Sequence, residues 1–279
     1  MLIGYDLPID WALAITSGTW VTPEAALQDR SPSERTRVQW PSGSQHTAVT
    51  VAITGARSRA FVPRLAALLG TTLPAGLRVE IRGKRATDAG FTYELGGNAL
   101  TRRTVEFDDG SVGCIWAFAD DLDPILAWQL LIYNDVDGVP GISASAYLDL
   151  GEIVVCPAVD VPHRPGRRFA TVDASPSYRL LGGRTIRAGR TAYRVLTVRP
   201  MFDRITVARG RTLPGDMDWG RLQTKLSADP WTLVVLTPWD LDLAQYESIY
   251  GVASRVPSLD SIAGSLNQLA ELVVEEEPA

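Results

Sequence analysis

The chain has 279 residues, 46% apolar and 21% charged, with a net charge of −5. That composition excludes a wholly disordered chain, and the length is enough to bury a core without disulfide or metal staples. No apolar run reaches the roughly 18 residues that a membrane span needs, and MLIGYDLPID carries acids where an export signal would be basic, so no export segment is expected. Cys114 and Cys156 lie in apolar, strand-like stretches and read as core thiols, because a disulfide framework or zinc site would need more ligands at motif spacing. A reducing cytoplasm is the expected place of synthesis.

Residues 1–35 read as an N-terminal arm. Thr22-Pro23-Glu24 is a helix start, with a capping hydroxyl, a first-turn proline and an acid at the positive end of the dipole. The SPSER stretch stops that helix near Asp29. Trp11 and Trp20 have no evident local core to enter, which makes them candidate anchors to another protein.

From Thr36 the hydrophobic period changes to two, and residues 36–157 read as an antiparallel, jelly-roll-like β-sandwich. Val49, Val51 and Ile53 alternate with small or polar residues, and Leu77, Val79 and Ile81 alternate with Arg78, Glu80 and Arg82. FVPRLAALLG between them reads as a short helix or an irregular crossover, limited by Pro63. Further strands are expected around Tyr93, over 104–107, over 114–118 and over 127–133. In YLDLGEIVV the inward phase passes from even positions (Leu148, Leu150) to odd ones (Ile153, Val155). A bulge or bend at Gly151-Glu152 is therefore expected, turning the strand toward the next region.

Residues 158–256 read as a smaller α+β domain with strands over 177–181, 191–198 and 231–236. One helix starts at Asp216 or Asp218 and presents Trp219, Leu222 and Leu226 on one face. Another runs from Asp240 to Gly251, with Leu243, Tyr246 and Tyr250 on its apolar stripe. Residues 257–279 read as a C-terminal helix and acidic tail. There Leu259, Ile262, Leu266, Leu269 and Val273 follow heptad steps, for docking on the helix's own domain or for a short coiled coil. The fold class is mainly β, with an N-terminal arm and a C-terminal helix.

Charge is unevenly distributed. Residues 104–152 hold ten acids and no Lys or Arg, residues 160–211 hold twelve Arg against three Asp, and residues 216–279 hold eleven acids against three bases. Such blocks either pair within one subunit or meet complementary blocks on another. Arg suits interfaces through planar, multidentate contacts, which makes Arg167, Arg168, Arg184 and Arg187 interface candidates. Nucleic acid is not an expected partner, because the chain is acidic overall and no binding motif is present.

No constellation points to catalysis, a cofactor or a metal. His46 and His163 stand without a neighbouring acid or nucleophile, GISASA lacks the closing glycine of a nucleophile elbow, and IRGKR lacks P-loop spacing. NDVDG has the flavour of a calcium loop but fails the EF-hand template at both ends, and DDLDP reads as a solvated acid run.

TRVQW, FTYELGG, the FDDG turn, SASAYLDLGEIVV, LGGRTIRAGR and WTLVVLTPW together resemble minor tail and tail-tip proteins of siphophages, over residues 36–256. The resemblance implies jelly-roll modules and a structural role. It points to an oligomeric adaptor between tail tube and tip, assembled in the host cytoplasm and resident in the virion tail. The implied partners are other copies of the chain and neighbouring tail proteins, and no cofactor is implied. The alternative is a carbohydrate-binding module that contacts host surface glycans through loops and exposed tryptophan.

Overall fold

A computed structural model describes residues 1–41, 50–95, 101–107, 110–119, 122–134, 142–143, 145–163, 166–173, 177–179, 185–187, 192–202, 217–257, 267–268 and 271–277. The chain forms two compact units. One is Met1–Val159 with Val234–Ser248, and the other is Asp160–Leu233 with Ile249–Pro278.

The first unit carries β1 (Leu2–Gly4), β2 (Ala12–Thr16), β3 (Thr19–Trp20), a 3-10 turn (Glu24–Gln28), β4 (Thr36–Gln39), β5 (Thr50–Phe61), β6 (Leu65–Thr71) and β7 (Arg78–Lys84). It continues through β8 (Thr101–Arg103), β9 (Val105–Glu106), β10 (Val112–Ala117), β11 (Ile125–Tyr133), β12 (Tyr147–Leu150) and β13 (Glu152–Cys156), and ends on β14 (Ala158–Asp160). One sheet has the order β2-β5-β11-β7-β8, a second β13-β6-β10-β9, and a third β12-β4-β3. The chain crosses between the first sheet and the other two at β2–β3, β4–β5, β5–β6, β6–β7, β8–β9, β10–β11 and β11–β12, with antiparallel pairing throughout. That alternation builds a jelly-roll-like sandwich. Its sheets close on one core, to which the first contributes Ile53, Val79, Ile81, Trp128, Leu130 and Ile132, and the others Val38, Leu68, Trp116, Leu150 and Val155.

Two readings along this unit change. LAALLG is strand β6, buried at every position from Leu65 to Thr71, and not a helix or crossover. A strand covered on both faces loses the period-two signal, which is why the sequence alone left it open. The phase flip at Gly151 is present, and Leu148, Leu150, Ile153 and Val155 all reach the same core. It transfers the strand from partner β4 to partner β6, both within the first unit. A Cβ at Gly151 would lie 2.4 Å from the Pro32 carbonyl oxygen and 2.6 Å from that of Leu69, so the break has no room for a side chain.

The second unit carries β15 (Arg168–Val172), β16 (Ser177–Arg179), β17 (Thr185–Arg187), β18 (Tyr193–Val198), β19 (Met201–Phe202) and a helix over Trp219–Ala228. β20 (Trp231–Val235), β21 (Ser248–Arg255), β22 (Asn267–Gln268) and β23 (Leu272–Glu276) follow. β18 pairs with β15 and β23, and β23 pairs with β21, all antiparallel. The helix follows its pattern: Asp218 caps the amide of Arg221 at 2.8 Å, and Trp219, Leu222 and Leu226 are buried.

The C-terminal helix is corrected. The described parts of that segment are strands, β22 and β23, and in β23 Leu272 and Val274 are fully buried while Val273 and Glu275 alternate with them. LVVEE meets two waiting strand edges, and paired β-branched residues fit a pleated surface better than a helix. Leu259, Ile262, Leu266 and Leu269 lie outside the described residues. Two of the charge blocks meet here inside one chain, through Arg194–Glu276 at 2.5 Å and Arg199–Glu271 at 2.8 Å.

The N-terminal arm is corrected as well. Met1, Leu2 and Ile3 are buried, and β1 pairs with the end of β20 through Leu2 with Val235 and Ile3 with Val234. Leu27 is fully buried, and Thr22 receives the Arg37 amide at 2.6 Å instead of capping a helix. Residues 1–35 are part of the first unit's core and sheets.

Candidate binding surface

Trp11 shows why the arm reading fails. It is 3% exposed and packs edge-on against Trp128 at 5.7 Å between ring centroids, with Phe61 also at 5.7 Å. The Gln28 side chain bonds both its amide and its carbonyl, at 2.9 and 3.0 Å. Trp20 is half-buried against the same core. Trp11 is therefore not available as an anchor. Arg167 and Arg168 are exposed in the second unit at the start of β15. Arg187 has a strand backbone in β17, and Arg184 lies outside the described residues.

A different part of the first unit does form a concave surface. A cleft of about 410 Å³ lies between the β7–β8 edge and the returning segment 234–248, lined by Arg78, Arg102, Arg103, Asp242, Gln245 and Tyr246. The β7–β8 register sets Arg78 directly opposite Arg103, with Arg102 opposite Val79. Each guanidinium is positioned by its own scaffold. Arg78 lies 3.8 Å from the Tyr133 ring centroid, a close cation–π stack. Arg103 donates to the Gly76 carbonyl at 2.9 Å. Arg102 has only 10% of its side chain exposed and sits 4.0 Å from the fully exposed Asp242. Behind it, burial pushes the Cys114 thiol up to about 12 despite the opposing pull of Arg102, so that thiol stays protonated at neutral pH.

The opposite wall is a short helix, Leu241–Tyr246, held from both ends and from its middle. Asp240 accepts from the amides of Asp242 and Leu243, both at 3.1 Å. Gln245 is buried and reaches β10, accepting from the Ile115 amide and donating to the Ile115 carbonyl, both at 2.8 Å. A side-chain amide thus completes the strand edge that β9, paired only with Val112 and Gly113, leaves open. The helix ends at Tyr246 instead of Gly251, because β21 begins at Ser248. The expected apolar stripe is split by that ending. Tyr250 is buried beside Trp231, whereas Leu243 is 46%, Tyr246 48% and the preceding Trp239 72% exposed.

The remaining motifs find structural roles. Asn134 bonds both polar groups of the Ile142 backbone, at 2.6 and 2.7 Å, closing the base of the NDVDG loop, whose residues 135–141 lie outside the described residues. Asp123 pairs with Arg85 at 2.8 Å, and His163 bridges to Pro200. His46 lies outside the described residues. Among the described residues no group of three His, Cys, Asp or Glu converges as a metal site, and no helix is long and apolar enough to cross a membrane. Sequence reading passed over Arg78, Arg102 and Arg103, because their convergence depends on the β7–β8 register. Gln245 carries no sequence signal at all.

No family model matches the chain, and no curated protein matches it. Among solved structures the chain is similar to CBM32-1 from a family 31 glycoside hydrolase of Clostridium perfringens, at 14% identity and a TM-score of 0.35. That match covers 55% of this chain and 97% of the other.

Proposed function

We propose that the protein is a non-enzymatic structural component of a bacteriophage tail tip, an oligomeric adaptor that binds copies of itself and neighbouring tail proteins. The observation that carries this reading is the exposed group Trp239, Leu243 and Tyr246, presented on and just before a helix that Gln245 and Asp240 hold in place. Large aromatic residues on a rigid support are what protein interfaces use as energetic anchors. The test is the mass of the full chain by light scattering, alone and co-expressed with the adjacent tail proteins. A defined oligomer or stable complex that Trp239→Ala weakens is expected. A chain that stays monomeric with every neighbour would overturn the reading.

A second reading, a carbohydrate-binding module, is favoured by the same Trp239, since an exposed indole can stack on a sugar ring. Glycan-array binding that Trp239→Ala abolishes, with no protein complex formed, would put this reading first.

A further inference from the structure

We infer that the outer edge of β2, Ala12–Thr16, is where a second copy of this chain adds its own β2, antiparallel about a two-fold axis at Ala14. The inference deepens the assembly reading by naming one copy-to-copy contact, and rests on it only for the expectation that copies meet. β2 stands at the end of the sheet order β2-β5-β11-β7-β8. Along an antiparallel strand the amide and carbonyl of one residue point to the same edge, and successive residues alternate. Trp11, just before the strand, gives its amide and carbonyl to the Gln28 side chain, at 2.9 and 3.0 Å, and so points away from β5. Leu13 and Ile15, two and four residues on, point the same way, while Ala12, Ala14 and Thr16 turn to Ala56, Thr54 and Ala52 of β5. Among the described residues none bonds the amides or carbonyls of Leu13 and Ile15.

That open edge is bounded on both sides. Gln28 occupies it at Trp11, and Ser17, at φ 61°, turns the chain out of the strand. Four backbone groups on two residues remain, and a second copy uses all four. With the axis at Ala14, Leu13 exchanges both bonds with the partner's Ile15, and Ile15 with the partner's Leu13. The side chains agree with the same register. Leu13 and Ile15 are half-buried at the rim of the sandwich core, and each gains an apolar neighbour across the axis. Ala12, Ala14 and Thr16 are small and exposed on the other face, so Ala14 has room to lie opposite the partner's Ala14. β2 has no charge, proline or bulge, the devices that keep a sheet edge from pairing, whereas β8 at the sheet's other end carries Arg102 and Arg103. A foreign strand matches the hydrogen bonds alone. A second copy also brings the apolar residues, in register, by symmetry.

The test uses the full chain. Light scattering is expected to give an even number of copies. Ala14→Lys and Ala14→Glu each set like charges face to face at the axis. Each is expected to lose the dimer with its melting temperature unchanged, since Ala14 is exposed, and an equimolar mixture of the two to regain it. Ala14→Cys is expected to form a disulfide-linked dimer under mild oxidation, because Cα atoms in such a pair lie about 4.5 Å apart. Thr16→Cys faces the partner's Ala12 and is expected not to cross-link, and Cys114 and Cys156 are buried and give no background. A monomer that does not cross-link, an odd-numbered oligomer, or self-association untouched by Ala14→Lys would overturn the inference. So would charge variants that stay monomeric when mixed, or equal cross-linking of the two cysteine variants. Ala14→Lys that loses a neighbouring tail protein but keeps self-association would give the edge to a foreign strand instead. A two-fold dimer whose chain joins no tail protein overturns only the tail-tip reading. A tail complex holding several copies that Ala14→Cys never cross-links overturns only the edge pairing.

Discussion

Two short segments of the first unit each present a tryptophan, and they treat it in opposite ways. In residues 1–35, Trp11 is 3% exposed, clasped by Gln28 and packed against Trp128 and Phe61. In residues 237–247, Trp239 is 72% exposed, although its backbone is braced by Asp240, Gln245 and the Thr237–Glu247 hydrogen bond at 2.6 Å. In both cases the backbone is fixed by side-chain amides or carboxylates, so rigidity does not distinguish them. What distinguishes them is whether the tertiary fold supplies aromatic partners. Burial of the first serves stability, and exposure of the second leaves its apolar area for another molecule.

The contrast breaks most sharply at Trp11. Trp11→Ala empties a site between Trp128 and Phe61, and a loss of about 3–5 kcal/mol is expected by denaturant unfolding; deletion of residues 1–35 is expected to abolish cooperative unfolding altogether. A truncated chain that still melts in one sharp transition would restore the arm reading. Next in size is Gln245→Ala, which orphans the amide and carbonyl of Ile115 and should cost roughly 1–3 kcal/mol for these buried groups. It should also free the 241–246 helix, read as faster amide exchange at Ala244 and Ile115 by hydrogen-exchange mass spectrometry.

Glu152 sharpens the comparison by pH, because it ties the N-terminal segment to the core. It is 2% exposed and accepts from the Arg30 amide at 2.8 Å, while burial pushes its carboxyl up to about 8. The folded chain therefore holds this proton more tightly than the unfolded chain does. As pH rises from the ordinary 4.5 to about 8 the unfolded state ionises first, and stability is lost across that window. Glu152→Gln cannot ionise, so its melting temperature relative to the original chain should climb between those two pH values. A difference that stays flat would show that the carboxyl titrates normally. The smallest effect is at Trp239. Trp239→Ala is expected to change stability by less than about 0.5 kcal/mol while weakening complex formation.

Legibility in the sequence followed the range of the forces involved. Strands β7 and β11 and the helix over 219–228 were readable because local alternation or a capped apolar face announces them. The Gly151 phase change was readable for the same reason. β6 was ambiguous because apolar residues on both faces erase the period. The C-terminal strand was misread because a heptad-like spacing of Leu and Ile preceded it, and only the edges of β18 and β21 settle its type. Trp11 was misplaced because its partners, Phe61 and Trp128, are far away in sequence. The cleft was invisible for a related reason: three arginines at 78, 102 and 103 become neighbours only through strand register, and the wall facing them arrives from residue 242 onward.

The pairing of Leu2 with Val235 and Ile3 with Val234 also sets a timetable. Contacts between the first and the late parts of a chain carry a high loop-closure cost and slow folding. During synthesis Leu2–Gly4 can pair with β14 once residue 160 has emerged, but its other edge stays open until Val234–Ser248 has left the ribosome, after most of the second unit has been made. A waiting strand edge of this kind is open to mispairing with other nascent chains. Translation pauses or truncations before residue 234 would therefore leave one edge of the first strand offered to whatever strand comes near.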